Sequence, residues 1–401
     1  MTVRTKKATR RRSSSVVTEC IYLDHNSTTP LAEESLEAMM PYLVSDFGNA
    51  ASRTHGFGQR AREAVERARH DVAALVDAEP RGIVWTSGAT EANNLAIKGV
   101  ALAQRHRGEH LVTQATEHPS VLEVFEYLRS VGFQVTLVPC DTEGRVDLRA
   151  LAEAITSRTT LVSIMYANNE TGVIQPISDA VSLAHAQGAI FHCDATQAAG
   201  RIPVSLTADG VDLLSLSAHK VYGPKGVGAL CVASRHPRVP LVPLFHGGGH
   251  ERGFRAGTAN VPGIVGFGAA ARSCRAHQQA DAKRLQTLRD RLESALIREL
   301  GAAVNGAGAP RLPNTSSVSL KGVNADAAIV AMPQLAVSTG SACTSASVKP
   351  SHVLKAMGLP DEQVLGTLRI SLGRSTTVAQ IDAAITTVLE TVRRLRALRF
   401  A

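Results

Sequence analysis

The sequence predicts an α/β chain: a mostly parallel seven-stranded sheet in a large domain, followed by a smaller α+β domain. Three observations carry that reading. Short apolar runs alternate with stretches of helical period between residues 83 and 232, the pattern of a parallel sheet covered on both faces. The gap between the runs at 213–216 and 228–232 is too short for a helical crossover, so the last strand should be antiparallel. The chain's 401 residues, 44% of them hydrophobic, can bury more than one core.

Taken in order, residues 1–18 (MTVRTKKATRRRSSSVVT) are polar and basic and should be disordered. They can be read as a transit-like peptide, a nucleic-acid-touching arm, or an extension without a role; the missing apolar helical face favours the last. This stretch holds six of the eight excess positive charges, so the body is only +2 and does not read as a nucleic-acid binder. Nucleic acid would be met indirectly, or through the arm alone.

Order should begin with a short strand at 21–23, after which Pro30 is expected to open a helix through about Val44. An amphipathic helix should follow from about Gly58 to Val76. Strands are expected at 83–86, 111–114, 135–138, 161–165, 190–193, 213–216 and 228–232, with helices at about 90–106, 119–131, 147–156 and 177–187. A long helix should run over about 262–300, then a strand at 316–320, a helix at 324–332, a loop at 338–348, a strand around 369–372 and a last helix at 378–398. The expected domains are a large one over 31–276 and a small one made of 19–30 and 277–401.

No stretch approaches the ~18 uncharged apolar residues of a membrane span, so no membrane partner is expected. The six cysteines are scattered without a CxxC pair, which argues against a disulfide framework or a metal site and for a reducing cytoplasm.

In an open parallel sheet, ligands bind beyond the carboxyl ends of the strands. Five strand ends here deliver polar groups: Ser87 to Asn93, Thr116 to His118, Asn168 to Gly172, Asp194 to Gln197, and Ser217 to Lys220. Ser87 to Thr90 is a small-residue turn opening a helix, whose free N–H groups suit a phosphate; alone it would be a simple cap. No nucleotide-type glycine motif is present. Asp194 ends an apolar run, where its carboxylate needs a partner: a protonated pyridine nitrogen, or a buried salt bridge to Arg201. His118 could stack on a planar ring or sit solvated in a loop. Asn169 and Gln197 could bond a ring oxygen or substrate, or shape turns. Ser217 and His219 could add phosphate contacts or cap. Lys220 is either a turn lysine or a partly desolvated amine nucleophile. Phosphate, planar ring, pyridinium and reactive amine together describe pyridoxal 5′-phosphate.

These residues sit in motifs that resemble the cysteine desulfurases, within the fold-type I, class V aminotransferase-like enzymes. The motifs include TSGATEANNLAIKG (86–99), TEHPSV (116–121), NNETGVIQPI (168–177), SLSAHKVYGPKGVGAL (215–230), STGSACTSAS (338–347) and RISLGRST (369–376). The resemblance implies that Lys220 bears the cofactor and moves a proton, Asp194 pairs with the pyridine nitrogen, His118 stacks on the ring and Gln197 bonds the ring hydroxyl. It implies that Ala89, Thr90, Ser217 and His219 hold the phosphate, with Thr258 reaching the phosphate of the other subunit in a homodimer. Asn26, Asn169 and Arg369 would face the substrate carboxylate, which a guanidinium fork matches. Cys343, in a small-residue loop, would be a mobile nucleophile that takes sulfur from L-cysteine as a persulfide and leaves alanine. The sulfur would pass to an acceptor protein, for iron–sulfur cluster assembly, tRNA thiolation or DNA phosphorothioation. A selenocysteine lyase or another class V enzyme is the near alternative, and a protein acting through its basic arm is a remote one. Ser27 stands where this family usually has Ala.

Overall fold

The computed structural model describes residues 20–340 and 350–399. The expectations for residues 1–18 and for Cys343 lie outside the described residues. The chain runs β1 (Ile21–Tyr22), α1 (Glu33–Val44), α2 (Gly56–Leu75), β2 (Ile83–Thr86), α3 (Ala89–Ala103), β3 (His110–Gln114), α4 (Pro119–Ser130), β4 (Gln134–Val138), α5 (Leu148–Ala154), β5 (Thr159–Ser163), α6 (Ile177–Ala186), β6 (Ile190–Asp194), β7 (Leu213–Ser217) and β8 (Gly228–Val232). There follow α7 (Val261–Leu300), β9 (Ala303–Val304), β10 (Thr315–Ser319), α8 (Ala325–Val330), β11 (Leu335–Ala336), α9 (His352–Ala356), α10 (Asp361–Leu365), β12 (Thr367–Ser371) and α11 (Val378–Arg399).

The expected seven-stranded sheet forms in the order β2-β8-β7-β6-β5-β3-β4. β8 lies antiparallel between β2 and β7, and the other pairings are parallel. β2, β3, β5, β6 and β7 are buried at every residue, which is why they read as unbroken apolar runs rather than alternating ones. β4, at the sheet edge, keeps exposed positions such as Gln134.

Helices cover both faces. Val65 and Val72 of α2, Leu151 of α5, Ala180 of α6 and Phe267 of α7 pack against Phe191 and Leu214 in one apolar cluster. Leu95 and Ile97 of α3 and Val124, Phe125 and Leu128 of α4 pack against Leu111 and Leu161 in another. The far half of α7, Leu285 to Leu300, joins a third cluster with β10, β12, α8 and α11. α7 therefore spans two cores, and Leu23 at the start of the chain packs in the third.

Two local expectations are corrected. Pro30 does not open a helix: the backbone is still extended at Ala32 (ψ 148°) and α1 starts at Glu33. The cause is tertiary, because Thr29 N–H and Ala32 N–H donate to the carbonyls of His219 and Tyr222, drawing the segment along the Lys220 turn. β5 ends at Ser163 rather than at 165, although Ile164 and Tyr166 still donate to the carbonyls of His192 and Asp194. The parallel pairing of β1 with β11 and the short helices α9 and α10 were not foreseen. Among the described residues, no helix is long and apolar enough to cross a membrane.

Candidate active site

The carboxyl ends of β2, β5, β6 and β7 and the start of α4 open on one cavity of about 580 Å³. Asn26, Ala89, Thr90, His118, Asn169, Asp194, Gln197, Ser217, His219, Lys220 and Arg369 all line it. Thr258 does not; it is exposed on the segment before α7.

One wall is the start of α3. Its N-cap, Gly88, supplies no side-chain cap, so the first N–H groups of the helix are left for a ligand. Ala89 and Thr90 bring them to the cavity beside Ser217 and His219. Uncapped N–H groups at the positive end of a helix dipole favour a phosphate. His219 is held by Thr28, its Nδ1 lying 3.1 Å from Thr28 Oγ1. Burial and the neighbouring Lys220 push its pKa down to about 4, so it stands neutral.

Asp194 is buried, and both of its oxygens are oriented. Oδ2 accepts from Asn93 Nδ2 at 2.8 Å, and Oδ1 accepts from Thr196 N–H at 2.9 Å. The alternative pairing with Arg201 does not form. Arg201 instead donates to the Gln197 carbonyl at 2.9 Å, to Gln197 Oε1, and to the His25 carbonyl at 3.1 Å. Gln197 Oε1 is thus taken by Arg201, and Nε2 donates to the Asn26 carbonyl at 3.0 Å.

Lys220 lies just past β7, as its place after a buried strand predicted. Its Nζ donates to the carbonyls of Asn26 at 2.5 Å and Ser27 at 2.8 Å. His118 caps α4: Nδ1 accepts from Ser120 N–H at 3.1 Å and lies 2.8 Å from Ser120 Oγ, which fixes the ring. Burial holds its pKa below the usual value, so the ring is neutral.

Arg369 is almost fully enclosed, at 1% exposure. Nη2 donates to Asp24 Oδ1 at 2.8 Å and Ser27 Oγ at 2.7 Å, and Nη1 to the Asn169 carbonyl at 3.1 Å. Nε has no hydrogen-bond partner among the described residues. Asn26 lines the cavity, but its side chain is engaged: Nδ2 donates to the Asn169 carbonyl and Thr315 Oγ1, and Oδ1 accepts from Asn314 Nδ2.

Sequence reasoning missed Asp24 and Ser27 as partners of Arg369, and Asn93 as the support of Asp194. Asn93 carried a signal, a polar residue on the buried face of a helix. Glu117 was also missed. It is fully buried, and burial raises its pKa to about 8, so it is protonated at neutral pH. Its Oε1 accepts from Met165 N–H and Gln114 Nε2, while Oε2 has no partner among the described residues.

The donor set fits pyridoxal 5′-phosphate: an uncapped helix start for the phosphate, an oriented carboxylate for the ring nitrogen, and an amine beside both. Among the described residues, no cluster of His, Cys, Asp and Glu could hold a metal ion.

A family model described as aminotransferase class-V matches residues 21–384. A relative named cysteine desulfurase IscS, from Anaeromyxobacter sp. (strain Fw109-5), is 52% identical over 377 residues, covering 94% of this chain and 93% of its own length. Among solved structures, a NifS-like protein superposes with a TM-score of 0.87 at 38% identity, covering 94% of this chain and 100% of its own. The structure titled SspA in complex with cysteine gives a TM-score of 0.78 at 37% identity, covering 88% of this chain and 98% of its own.

Proposed function

This chain belongs to the class V aminotransferase family and, within it, to the cysteine desulfurases, and we propose that Cys343 takes the sulfur of L-cysteine as a persulfide. The enzyme depends on pyridoxal 5′-phosphate and converts L-cysteine to L-alanine. The observation that carries the site assignment is the convergence of Lys220, Asp194, the uncapped start of α3 and Arg369 on one cavity.

Pyridoxal 5′-phosphate, when bound, supplies the electron sink that makes an amino acid's α-hydrogen acidic. Lys220 would bear it and carry the α-proton. Asn93 and Thr196 hold Asp194 ready for the ring nitrogen. The neutral His118 would lie on the ring face and can accept a proton. Ala89, Thr90, Ser217 and His219 would hold the phosphate, and Gln197 would offer Nε2 to the ring hydroxyl. Asn169 and Arg369, with Asn26 behind them, would receive the substrate carboxylate; Asp24 and Ser27 fix the guanidinium. The Cys343 thiolate attacks the substrate sulfur, an S–S bond forms and the C–S bond breaks. Cysteine plus enzyme thiol thus gives alanine plus enzyme persulfide, and the sulfur passes to an acceptor protein serving iron–sulfur cluster assembly, tRNA thiolation or DNA phosphorothioation.

The working unit is a homodimer in this reading. Leu36, Met40, Leu43 and Val44 form an exposed apolar stripe on α1, continued by Phe47 and Phe57, which supports a covering second copy. Thr258, exposed outside its own cavity, is free to serve the partner's. We place the active site on a large domain, 31–276, against a small one of 19–30 and 277–401; the separate apolar clusters support this division. The free thiols of Cys20, Cys140, Cys193, Cys231 and Cys274 suit the cytoplasm.

The test compares alanine release from L-cysteine by the wild type and by Cys343→Ala. Loss in the variant is expected, and full retention overturns the persulfide step. Lys220→Ala should lose the cofactor's visible absorbance.

A further inference from the structure

Ser27 lines the cavity and touches two of its working groups. Its backbone carbonyl accepts from Lys220 Nζ at 2.8 Å, and its Oγ accepts from Arg369 Nη2 at 2.7 Å. An amino acid carries its carboxylate one carbon away from its nitrogen. A ligand whose nitrogen takes the place of the Lys220 amine therefore brings its carboxylate toward the Ser27 side chain and Arg369.

The guanidinium is not free to grip that carboxylate with a whole fork. Both hydrogens of Nη2 are spent, one on Asp24 Oδ1 at 2.8 Å and one on Ser27 Oγ. One hydrogen of Nη1 goes to the Asn169 carbonyl at 3.1 Å. Nε is buried without a partner among the described residues. The second hydrogen of Nη1 is what Arg369 can still turn to a ligand in the cavity.

The Ser27 hydroxyl has the opposite balance. Its oxygen accepts from the guanidinium, while its own O–H has no acceptor among the described residues. The residue is half-buried, with the cavity beside it. A hydroxyl that accepts from a cation is polarised by it and becomes a stronger donor.

We propose that Ser27 is a specificity-determining residue for the substrate's α-carboxylate: its oxygen takes the hydrogen bond of Arg369 Nη2, and its hydrogen is donated to one carboxylate oxygen. The hydroxyl thereby replaces the prong of the fork that is already spent, and the remaining Nη1 hydrogen serves the other oxygen. The inference rests on the reading that Arg369 receives the substrate carboxylate, and the test separates the two.

The cofactor-loaded enzyme is titrated with L-alanine and with isopropylamine, which is alanine with a methyl group in place of the carboxylate. Binding is followed by the change in the cofactor's visible absorbance. The wild type, Ser27→Ala, Ser27→Cys and Arg369→Lys are compared. Ser27→Ala should bind L-alanine roughly ten-fold more weakly, the order expected for a hydrogen bond to a charged group, and isopropylamine as the wild type does. Ser27→Cys keeps the bulk but offers a weaker donor, so it should fall between the two. With L-cysteine as substrate, the same loss should fall mainly on KM. A purely structural role for Ser27 would weaken both ligands alike, so equal losses overturn the inference. Wild-type affinity of Ser27→Ala for L-alanine also overturns it, since Nη2 then grips the carboxylate unaided. Arg369→Lys cannot fork and should lose most of the preference for L-alanine over isopropylamine. If it does while Ser27→Ala keeps that preference, the inference fails and the reading stands. If Arg369→Lys keeps the wild-type preference, the reading and the inference fail together.

Discussion

Gly228→Ala should weaken cofactor binding without touching the cofactor. Gly228 opens β8 between Thr86 of β2 and Ser217 of β7, the two strand ends that flank the phosphate cradle. A Cβ there would stand 2.5 Å from the Leu216 carbonyl oxygen, 2.6 Å from Gly88 Cα and 2.7 Å from the Gly88 carbonyl carbon. All are backbone atoms, so no side chain can swing aside. Ordinary contact needs about 3.5 Å, so Gly88 must retreat by roughly 1 Å. Gly88 is the N-cap of α3, and its retreat carries the N–H groups of Ala89 and Thr90 out of register with a phosphate. A displacement of about 1 Å can cost on the order of 100-fold where geometry decides. Overpacking should remove about 1–3 kcal/mol of stability besides. Gly301→Ala, at the C-terminal end of α7, is the control: its Cβ meets nothing within 4 Å, and at φ 63° it adds only backbone strain. Cofactor-free protein is titrated with pyridoxal 5′-phosphate and followed by absorbance, with melting measured in parallel. Gly228→Ala should bind ten- to a hundred-fold more weakly on this order-of-magnitude argument, and Gly301→Ala should bind normally while melting lower. Equal affinity of Gly228→Ala and the wild type would refute the reasoning.

Three further outcomes are expected. Asn93→Ala removes the donor to Asp194 Oδ2, a charge-assisted bond of about 1.5–3 kcal/mol, and should weaken cofactor binding by about ten-fold or more in the same titration. Glu117→Gln tests the buried acid. A carboxyl whose pKa rises from 4.5 unfolded to about 8 folded stabilises the fold below 4.5 and loses that contribution as pH climbs to about 8. Glutamine does not titrate, so the variant's melting temperature relative to wild type should rise from pH 4.5 to 8; parallel curves would contradict this. Leu43→Glu puts a charge in the exposed stripe of α1 and should give a monomer by sedimentation that retains the cofactor poorly; an unchanged dimer would move the interface elsewhere.

The candidate site was legible in the sequence where it depends on position along a strand. Ser87, Asp194, Ser217 and Lys220 each follow a run buried on both faces, and such runs show as unbroken apolar segments whichever tertiary partners they meet. The seven strands and the antiparallel β8 were legible for the same reason, since a short connection admits no crossover.

What the sequence by itself determined is thus the sheet, the chemistry delivered to its edge and the family motifs. Tertiary structure alone decided how those groups are held. Asn93 reaches Asp194 across 101 positions, and Arg369 reaches Asp24 and Ser27 across more than three hundred. Arg201 bonds the Gln197 amide rather than Asp194, and residues 30–32 stayed outside the helix, tied to the Lys220 turn. A hydrogen bond depends on distance in space, and a local pattern of polarity records only which groups need a partner, not which partner the folded chain supplies.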